Sequence, residues 1–276
     1  AQKAGFVLVP INTRLTPHEV AFQISDSGAK LVIAEAEFDA KLSDTETESL
    51  GFADMQDGEE AYHEEVSDED PLFILYTSGT TGFPKGAIYT HGMLFWNSVN
   101  TALRLDLTSI DITLNCMPAF HTGGWNVLIT PLLHRGGTIW LQKDFEPNEV
   151  LEKLEKSEST LFMAVPTMLK MMADAKNFSS VNLNQIRYFI VGGEALPIPM
   201  IELWANKNIP IRQGYGLTEV GPNVTSLHQN DTIRKRGSIG FFNYYIDGKV
   251  VSDDGEECHP DEVGELWLKG PNVTPG

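Results

Sequence analysis

Residues 75–92 read LYTSGTTGFPKGAIYTHG. Leu75-Tyr76 closes an apolar run that begins at Leu72 and reads as a strand. The ten positions from Thr77 to Gly86 then hold four hydroxyl residues, three glycines and one lysine. Glycine lets a backbone turn its N–H groups inward, and a nest of N–H groups with hydroxyls binds anionic oxygens. Lys85 adds a point charge, so the natural guest is a polyphosphate. A Ser/Thr/Gly-rich turn that holds no ligand has the same composition, and the loop alone does not separate the two readings. One phosphate-binding pattern is excluded. G-x-x-x-x-G-K-[ST], started from Gly79, meets Pro84 before Lys85 and Gly86 after it, so it fails twice.

Away from the loop, the strands and helices alternate. Thr16-Pro17-His18-Glu19 is a capping box with proline at the first helical position, and Gly28 can end that helix in the left-handed region. With Phe6–Val9 and Leu31–Ala34 as strands on either side, the opening reads as βαβ. Between Glu35 and Asp70 there is one basic residue, Lys41, against fifteen carboxylates, which reads as a solvated and poorly packed connection. Further strands are expected at Phe73–Tyr76, Thr113–Met117, Thr138–Leu141, Thr160–Ala164 and Arg187–Val191. Helices are expected at His91–Arg104, Trp125–His134, Asn148–Lys156, Thr167–Ala175 and Ile198–Asn206. Several strands are apolar throughout, as when helices cover both faces of a sheet. The fold class is therefore α/β with mainly parallel sheets. After Asn230 short strands at Gly237–Gly240, Ile246–Val251 and Gly264–Leu268, separated by Gly and Asp turns, suggest the start of a small antiparallel barrel. The expected division is residues 1–229 as α/β subdomains and 230–276 as an incomplete β subdomain.

The 276 residues carry 38 Asp and Glu against 20 Lys and Arg, a formal net charge of -18. Such a surface repels phosphate backbones and argues against nucleic acid as a partner, so an anionic ligand must be met by a local device. Cys116 and Cys258 lie far apart without metal-ligand spacing and read as reduced thiols of a cytoplasmic protein. No apolar run is long enough to span a membrane, and no basic-plus-apolar leader opens the chain. Neither end has the look of a domain margin, so the chain reads as a piece of something longer.

Two more stretches bear on chemistry. In Gln213-Gly214-Tyr215-Gly216-Leu217-Thr218-Glu219 the glycines flank a tyrosine whose ring can stack on a nucleobase. Thr218 offers a hydroxyl to a phosphate, and Glu219 offers a hard oxygen to Mg2+. A strand end followed by a turn with a solvated glutamate would read the same way. Val191-Gly192-Gly193-Glu194-Ala195 places glycines where a parallel strand ends, which is where open α/β sheets bind ligands. It also fits a plain tight turn.

In this order and spacing the three stretches resemble the adenylate-forming superfamily of acyl- and aryl-CoA synthetases, peptide-synthetase adenylation domains and firefly luciferase. The family's loop, [YF]-T-S-G-[ST]-T-G-x-P-K-G, is matched at every position by Tyr76–Gly86, and its Y-G-x-T-E element by Tyr215–Glu219. The resemblance runs along nearly the whole chain and implies a partial AMP-binding domain over residues 1–276. By the same resemblance Thr77, Ser78, Gly79, Thr80, Thr81, Gly82 and Lys85 bind the β- and γ-phosphates of ATP. Gly193, Glu194 and Ala195 line the adenine pocket, and Gln213, Gly214, Tyr215 and Gly216 border the nucleotide with Tyr215 stacked on the base. Thr218 contacts the α-phosphate and Glu219 the Mg2+. The implied reaction joins a carboxylate to AMP with release of pyrophosphate, after which a thiol, commonly coenzyme A, displaces AMP.

Pro118–Trp125 resembles the segment that lines the carboxylate pocket in CoA-forming members, which implies His121 beside the reacting carboxylate and Trp125 at the acyl pocket. The texture through Gly137 is most like fatty acyl-CoA synthetases; an aryl-CoA ligase such as o-succinylbenzoate ligase, a carrier-protein-loading domain and a non-catalytic nucleotide-binding module are the alternatives. The methionines of Pro166–Met172 recur at helical spacing and read as core. The family's ribose-binding Thr-Gly-Asp segment and its lysine-bearing C-terminal domain do not occur in this sequence. Residues 1–276 alone are therefore not expected to complete a turnover.

Overall fold

The computed structural model describes residues 4–55, 65–77 and 83–276. Ser78 to Gly82 of the glycine-rich loop, and residues 1–3, lie outside the described residues. The chain divides into two compact units, residues 1–92 with 274–276, and residues 93–273. The sequence reading placed its boundary at residue 230; here the segment after Asn230 stays within the second unit up to Val273.

In the first unit helix α1 (Pro17–Ser27) has the expected capping box at Thr16 and a left-handed C-cap at Gly28, φ 67°. Strand β1 (Leu31–Ala34) follows. The opening βαβ does not form. Leu8 makes an isolated bridge to Phe73, while β1 pairs in parallel with β2 (Glu48–Gly51) in a two-stranded sheet. The acidic connection thus contains a strand and a 3-10 turn at Ala36–Leu42 in which no residue is buried. Among the described residues its carboxylates are exposed, while the backbone finds a partner. Strand β3 (Pro71–Thr77) pairs antiparallel with β4 (Lys85–Thr90), a strand not anticipated from the sequence. Tyr76 lies opposite Gly86 and Thr77 opposite Lys85, so the two arms of the glycine-rich loop leave one hairpin. The Tyr76 hydroxyl donates to Asp26 Oδ2 at 2.6 Å, tying the loop's first arm to α1.

The chain then forms helix α2 (His91–Leu105) and the second unit. In order come β5 (Ile112–Asn115), α3 (Thr122–Asn126), α4 (Ile129–Arg135), β6 (Thr138–Leu141), α5 (Pro147–Lys156), β7 (Leu161–Ala164) and α6 (Pro166–Ala173). They are followed by β8 (Tyr188–Val191), α7 (Ile198–Asn206), β9 (Ile211–Gly216), β10 (Asn223–Ser226), β11 (Phe241–Phe242), β12 (Asp247–Val251) and β13 (Glu265–Lys269). One seven-stranded sheet has the order β11-β10-β9-β8-β7-β5-β6. Strands β5 to β9 within it are parallel, and β10 and β11 add antiparallel strands at one edge.

Strands β7 and β8 are buried at every residue, as required of central parallel strands. Alternation divides their side chains between two cores. Phe162, Ala164, Phe189 and Val191 meet Leu151 and Leu154 of α5, Leu169 and Met172 of α6 and Trp204 of α7. Leu161, Met163, Tyr188 and Ile190 meet Leu105 of α2, Val127 and Leu128 between α3 and α4, and Leu132 of α4. Of the methionines expected in the core, Met168 and Met172 are buried there, whereas Met171 points outward and is 49% exposed.

The helix expected at Trp125–His134 is two helices, broken at Val127-Leu128. Pro131 lacks the N–H that would bond the Val127 carbonyl, and its ring clashes with that carbonyl in a continuous helix. Of the three strands expected after Asn230, Gly237–Gly240 forms none. Gly237 and Gly240 both have positive φ, 86° and 84°, which no strand ladder accepts, and pairing begins at Phe241. The other two form the β12–β13 antiparallel hairpin.

Candidate functional site

Strand order changes direction in the second unit between β5 and β7: β5 leads outward to β6, and β7 leads the other way to β8 and β9. Such a switch point opens a crevice at the C-terminal strand ends. The segments that follow β5, β7, β8 and β9 are those singled out in the sequence, with one addition, Val165.

After β8 the chain turns at Gly192-Gly193. Gly193 has φ 85°, and a Cβ there would approach only Val165 Cγ1 at 3.7 Å, so conformation rather than crowding requires glycine. Gly193, Glu194 and Ala195 are exposed. The turn is held from the neighbouring strand: the Leu196 N–H donates to Gln213 Oε1 at 3.2 Å, and Gln213 is buried.

The glycines around Tyr215 have a different cause from the one read in the sequence. A Cβ on Gly214 would lie 2.8 Å from the Thr225 carbonyl oxygen, and one on Gly216 would overlap the Pro222 carbonyl. Close approach of β10, not only access for a ligand, demands them. The Tyr215 N–H donates to Thr225 Oγ1 at 3.2 Å, and the side chain is 39% exposed. Thr218 and Glu219 sit in a half-buried 3-10 turn, Thr218–Val220, closed by Gly221 in the left-handed region.

After β5, Met117 and Pro118 lead into α3. A Cβ on Gly124 would overlap the Pro118 carbonyl, so this glycine lets α3 fold back on its own approach. His121 is the N-cap residue of α3; its N–H donates to Pro118 O at 3.2 Å and its carbonyl accepts from Gly124 at 2.8 Å. The Trp125 indole N–H donates to the Ala119 carbonyl, which ties the ring to the same turn.

These turns enclose a cavity of about 310 Å³. His121, Thr122, Gly193, Gly214, Tyr215, Gly216 and Thr218 line it, so residues from all three motif regions of this unit meet there. Its depth is apolar: Leu105, Met117, Val127, Met163, Val165 and Ile190, several of them also members of the α2/α4 core. Trp125, Glu194, Ala195, Gln213 and Glu219 are not among its lining residues.

Sequence reasoning missed the polar edge of this cavity. Asn97 Nδ2 donates to Asn126 O at 2.7 Å and Asn97 Oδ1 accepts from Asn223 N–H at 3.3 Å. Asn223 Nδ2 donates to Thr101 Oγ1 at 2.7 Å, and Asn243 Nδ2 to Asn223 O at 2.7 Å. Asn97, Asn100 and Thr101 repeat at helical spacing on α2, with 1% exposure or less. That polar face on an otherwise apolar amphipathic pattern was the available signal.

In the first unit Thr77 and Lys85 stand opposite each other at the head of the hairpin, and Lys85 is exposed. Among the described residues no group of three or more His, Cys, Asp or Glu could hold a metal ion. A single carboxylate such as Glu219 still fits Mg2+, which is usually held by one or two carboxylates together with substrate phosphates. No described helix is long and apolar enough to cross a membrane.

The sequence profile of the family described as "AMP-binding enzyme" matches residues 1–276. A feruloyl-CoA synthase of Amycolatopsis sp is 34% identical over 279 residues, covering 99% of this chain and 57% of the relative. The long-chain-fatty-acid–CoA ligase FadD13 of Mycobacterium tuberculosis is 35% identical over 283 residues, 98% of this chain and 56% of the relative. Among solved structures, the O-succinylbenzoate coenzyme A synthetase of Bacillus subtilis in complex with ATP and magnesium ion superposes with a TM-score of 0.86 at 32% identity, covering 97% of this chain and 56% of that one. The chain spans about half the length of the curated relatives it matches.

Proposed function

This chain belongs to the AMP-binding enzyme family, and from that premise we propose that the protein activates a carboxylic acid with ATP and transfers the acyl group to coenzyme A. The observation that carries the reading is the cavity at the sheet's switch point, where His121, Gly193 and Gly214–Thr218 meet over an apolar floor. A carboxylate oxygen attacks the α-phosphorus, the bond to pyrophosphate breaks, and the acyl-adenylate forms. The coenzyme A sulfur then attacks the acyl carbon, its proton is lost, and AMP leaves. Neither step needs a protein nucleophile; both need positioning and neutralisation of charge.

Thr77, Lys85 and the loop between them take the β- and γ-phosphates, and Thr218 the α-phosphate. Tyr215 stacks on adenine beside Gly193, Glu194 and Ala195. Gln213 acts by fixing that turn through Leu196. Glu219, together with phosphate oxygens, would hold Mg2+, which when bound would supply neutralisation of charge on the phosphates. His121 stands beside the reacting carboxylate, and the apolar depth receives the rest of the acid. The compartment we assign is the cytoplasm, the usual place of buried free thiols such as Cys116.

The sequence texture favours a fatty acid. A second reading, an aryl acid, is favoured by the size of the cavity: about 310 Å³ lies at the lower end for ligand sites and suits a compact acid. The relatives above include ligases named for each kind. The test is acid-dependent release of AMP and pyrophosphate by the full-length protein, with and without coenzyme A, across alkyl and aryl acids. Acid-dependent adenylation without thioester would reassign the acceptor, and no adenylation with any acid would reject the reading.

A further inference from the structure

One buried side chain is bonded to both of the segments that carry the two sides of the site. Asn97 of α2 is fully buried and is not among the lining residues of the cavity. Its Nδ2 donates to the Asn126 carbonyl at 2.7 Å, and its Oδ1 accepts from the Asn223 N–H at 3.3 Å. Asn223 returns to the same carbonyl, its Nδ2 donating to Asn126 O at 3.0 Å. The three asparagines form a closed bridge from α3 through α2 to the start of β10.

Each foot of the bridge stands next to a site element. Asn126 is the last residue of α3, where carbonyls lack partners within the helix. Its Nδ2 donates to Thr122 Oγ1 at 3.2 Å, and Thr122, next to His121, lines the cavity. At the other foot, Gly221 and Pro222 join the Thr218–Val220 turn to Asn223. A Cβ on Gly221 would lie 3.2 Å from Asn97 Oδ1, so the residue that closes the turn rests against the same amide. Asn272 Nδ2 also holds the turn, donating to Val220 O at 2.8 Å.

Packing alone does not call for amides here, because replacing both partners of a buried polar pair by apolar groups of the same shape can be nearly neutral. Hydrogen bonds fix spacing and direction, whereas apolar contacts slide. The bridge is built to hold a distance.

Resting on the reading that His121 stands beside the carboxylate and Thr218 beside the α-phosphate, we propose that Asn97 is a positioning residue for adenylation. It sets the spacing of α3 against the Thr218–Val220 turn, so that the carboxylate oxygen reaches the phosphorus in line. Each ligand is bound by its own side of the site. The bridge therefore governs their meeting and not their binding. Once acid and AMP are joined, the new bond fixes their spacing and the bridge matters little.

The test separates the two half-reactions of the full-length protein. Adenylation is read as acid-dependent exchange of labelled pyrophosphate into ATP, and the second step as thioester formation from supplied acyl-adenylate and coenzyme A. Asn97→Ala is expected to lower kcat of the exchange on the order of tenfold to a hundredfold, since a misplacement of about 1 Å can cost that much. KM for ATP and for the acid should stay within about twofold, as should the rate of the second step. Asn97→Asp keeps the size and the acceptor and loses the amide donor to Asn126. It should show the same pattern to a smaller extent, and it carries the test if the alanine variant does not fold. Equal loss in both steps makes Asn97 plain scaffold and overturns the proposal. A rise in KM with kcat unchanged, or no loss in either step, overturns it as well. A parent protein that exchanges no pyrophosphate with any acid rejects the ligase reading and this proposal with it.

Discussion

The two ends of the parallel strands in the second unit are built from opposite materials. At the N-terminal ends, Asp111 before β5, Thr160 before β7 and Arg187 before β8 close on one another. Arg187 Nη1 donates to both Asp111 oxygens at 2.7 Å, and Thr160 Oγ1 donates to Asp111 Oδ1 at 2.7 Å. Thr108 adds its N–H at 2.8 Å, and every one of these groups has its partner inside the protein. At the C-terminal ends the corresponding positions are Met117, Val165, Gly192 and Tyr215-Gly216. There the chain offers glycines, an exposed ring and a cavity. One end spends its polar groups on itself, and the other leaves room. Charge at the closed end serves stability, whereas polar groups at the open end are available to a ligand.

The strongest way to break this contrast is at the open end. Glu219→Gln keeps shape and removes the charge proposed to hold Mg2+, so adenylation at limiting Mg2+ should fall about a hundredfold, on the order of 3 kcal/mol of transition-state stabilisation. The melting temperature should hold. An unchanged rate would remove Glu219 from the metal, and a lowered melting temperature would make it part of the scaffold.

Gly216→Ala probes the point where the contrast should fail, because its position is both site and scaffold. The added Cβ overlaps the Pro222 carbonyl, a backbone atom that cannot swing aside. Stability should drop by about 3 kcal/mol, the upper range for overpacking, and activity should fall with it. Loss of activity with full stability would show that β10 moves freely and that the glycine serves the ligand alone.

Asp111→Asn should do the reverse of Glu219→Gln. Losing charge-assisted bonds from Arg187 costs about 2 kcal/mol of stability, with kcat unchanged. Burial raises the Asp111 carboxyl, but the hydrogen bonds of Arg187, Thr160 and Thr108 outweigh it and hold the group below its ordinary value. A carboxylate depressed in the folded state stabilises above its unfolded pKa of about 4 and loses that stabilisation as pH falls through the folded value. Denaturant melts of the two proteins should therefore differ at neutral pH and converge in acid. A constant difference across that range would mean that packing, not ionisation, carries the effect.

What could be read from the sequence divides along the same line. The capped helix at Pro17, strand β6 and helix α7 follow from local chemistry: a Thr-Pro-x-Glu box, a β-branched and aromatic run, and a periodic apolar face. The motif turns were legible because glycine and hydroxyl residues crowd there whatever lies around them. Pairing was not legible. Leu8 joins Phe73 and β1 joins β2, choices made by partners far along the chain. Lys85–Thr90 became a strand only because β3 stands opposite. The amides at the cavity edge were legible only in part: Asn97, Asn100 and Thr101 mark a polar face on α2, whereas Asn223 and Asn243 are distant in sequence, and a lone asparagine carries no sign that it will be buried beside another.

The finest test of the contrast concerns Trp125, which the family resemblance places at the acyl pocket. In the structure its indole N–H is tied to the Ala119 carbonyl, and the ring does not line the cavity. Two roles predict different outcomes for Trp125→Phe. If the ring shapes the pocket, phenylalanine changes which acid is preferred, because each methylene of fit is worth roughly 1–3 kcal/mol of discrimination. If the ring braces the turn that carries His121, phenylalanine removes one hydrogen bond worth about 1 kcal/mol and lowers kcat/KM for every acid by the same factor, about fivefold. We expect the second pattern. In its proposed place beside the reacting carboxylate, His121 would report to all acids alike, and a looser Ala119–Trp125 turn would blur its position without altering the apolar floor at Leu105 and Val127. The measurement is kcat/KM over a series of alkyl and aryl acids with the full-length protein, plotted as the ratio of variant to parent. A flat line supports the brace, and a slope with chain length or ring size returns Trp125 to the pocket wall.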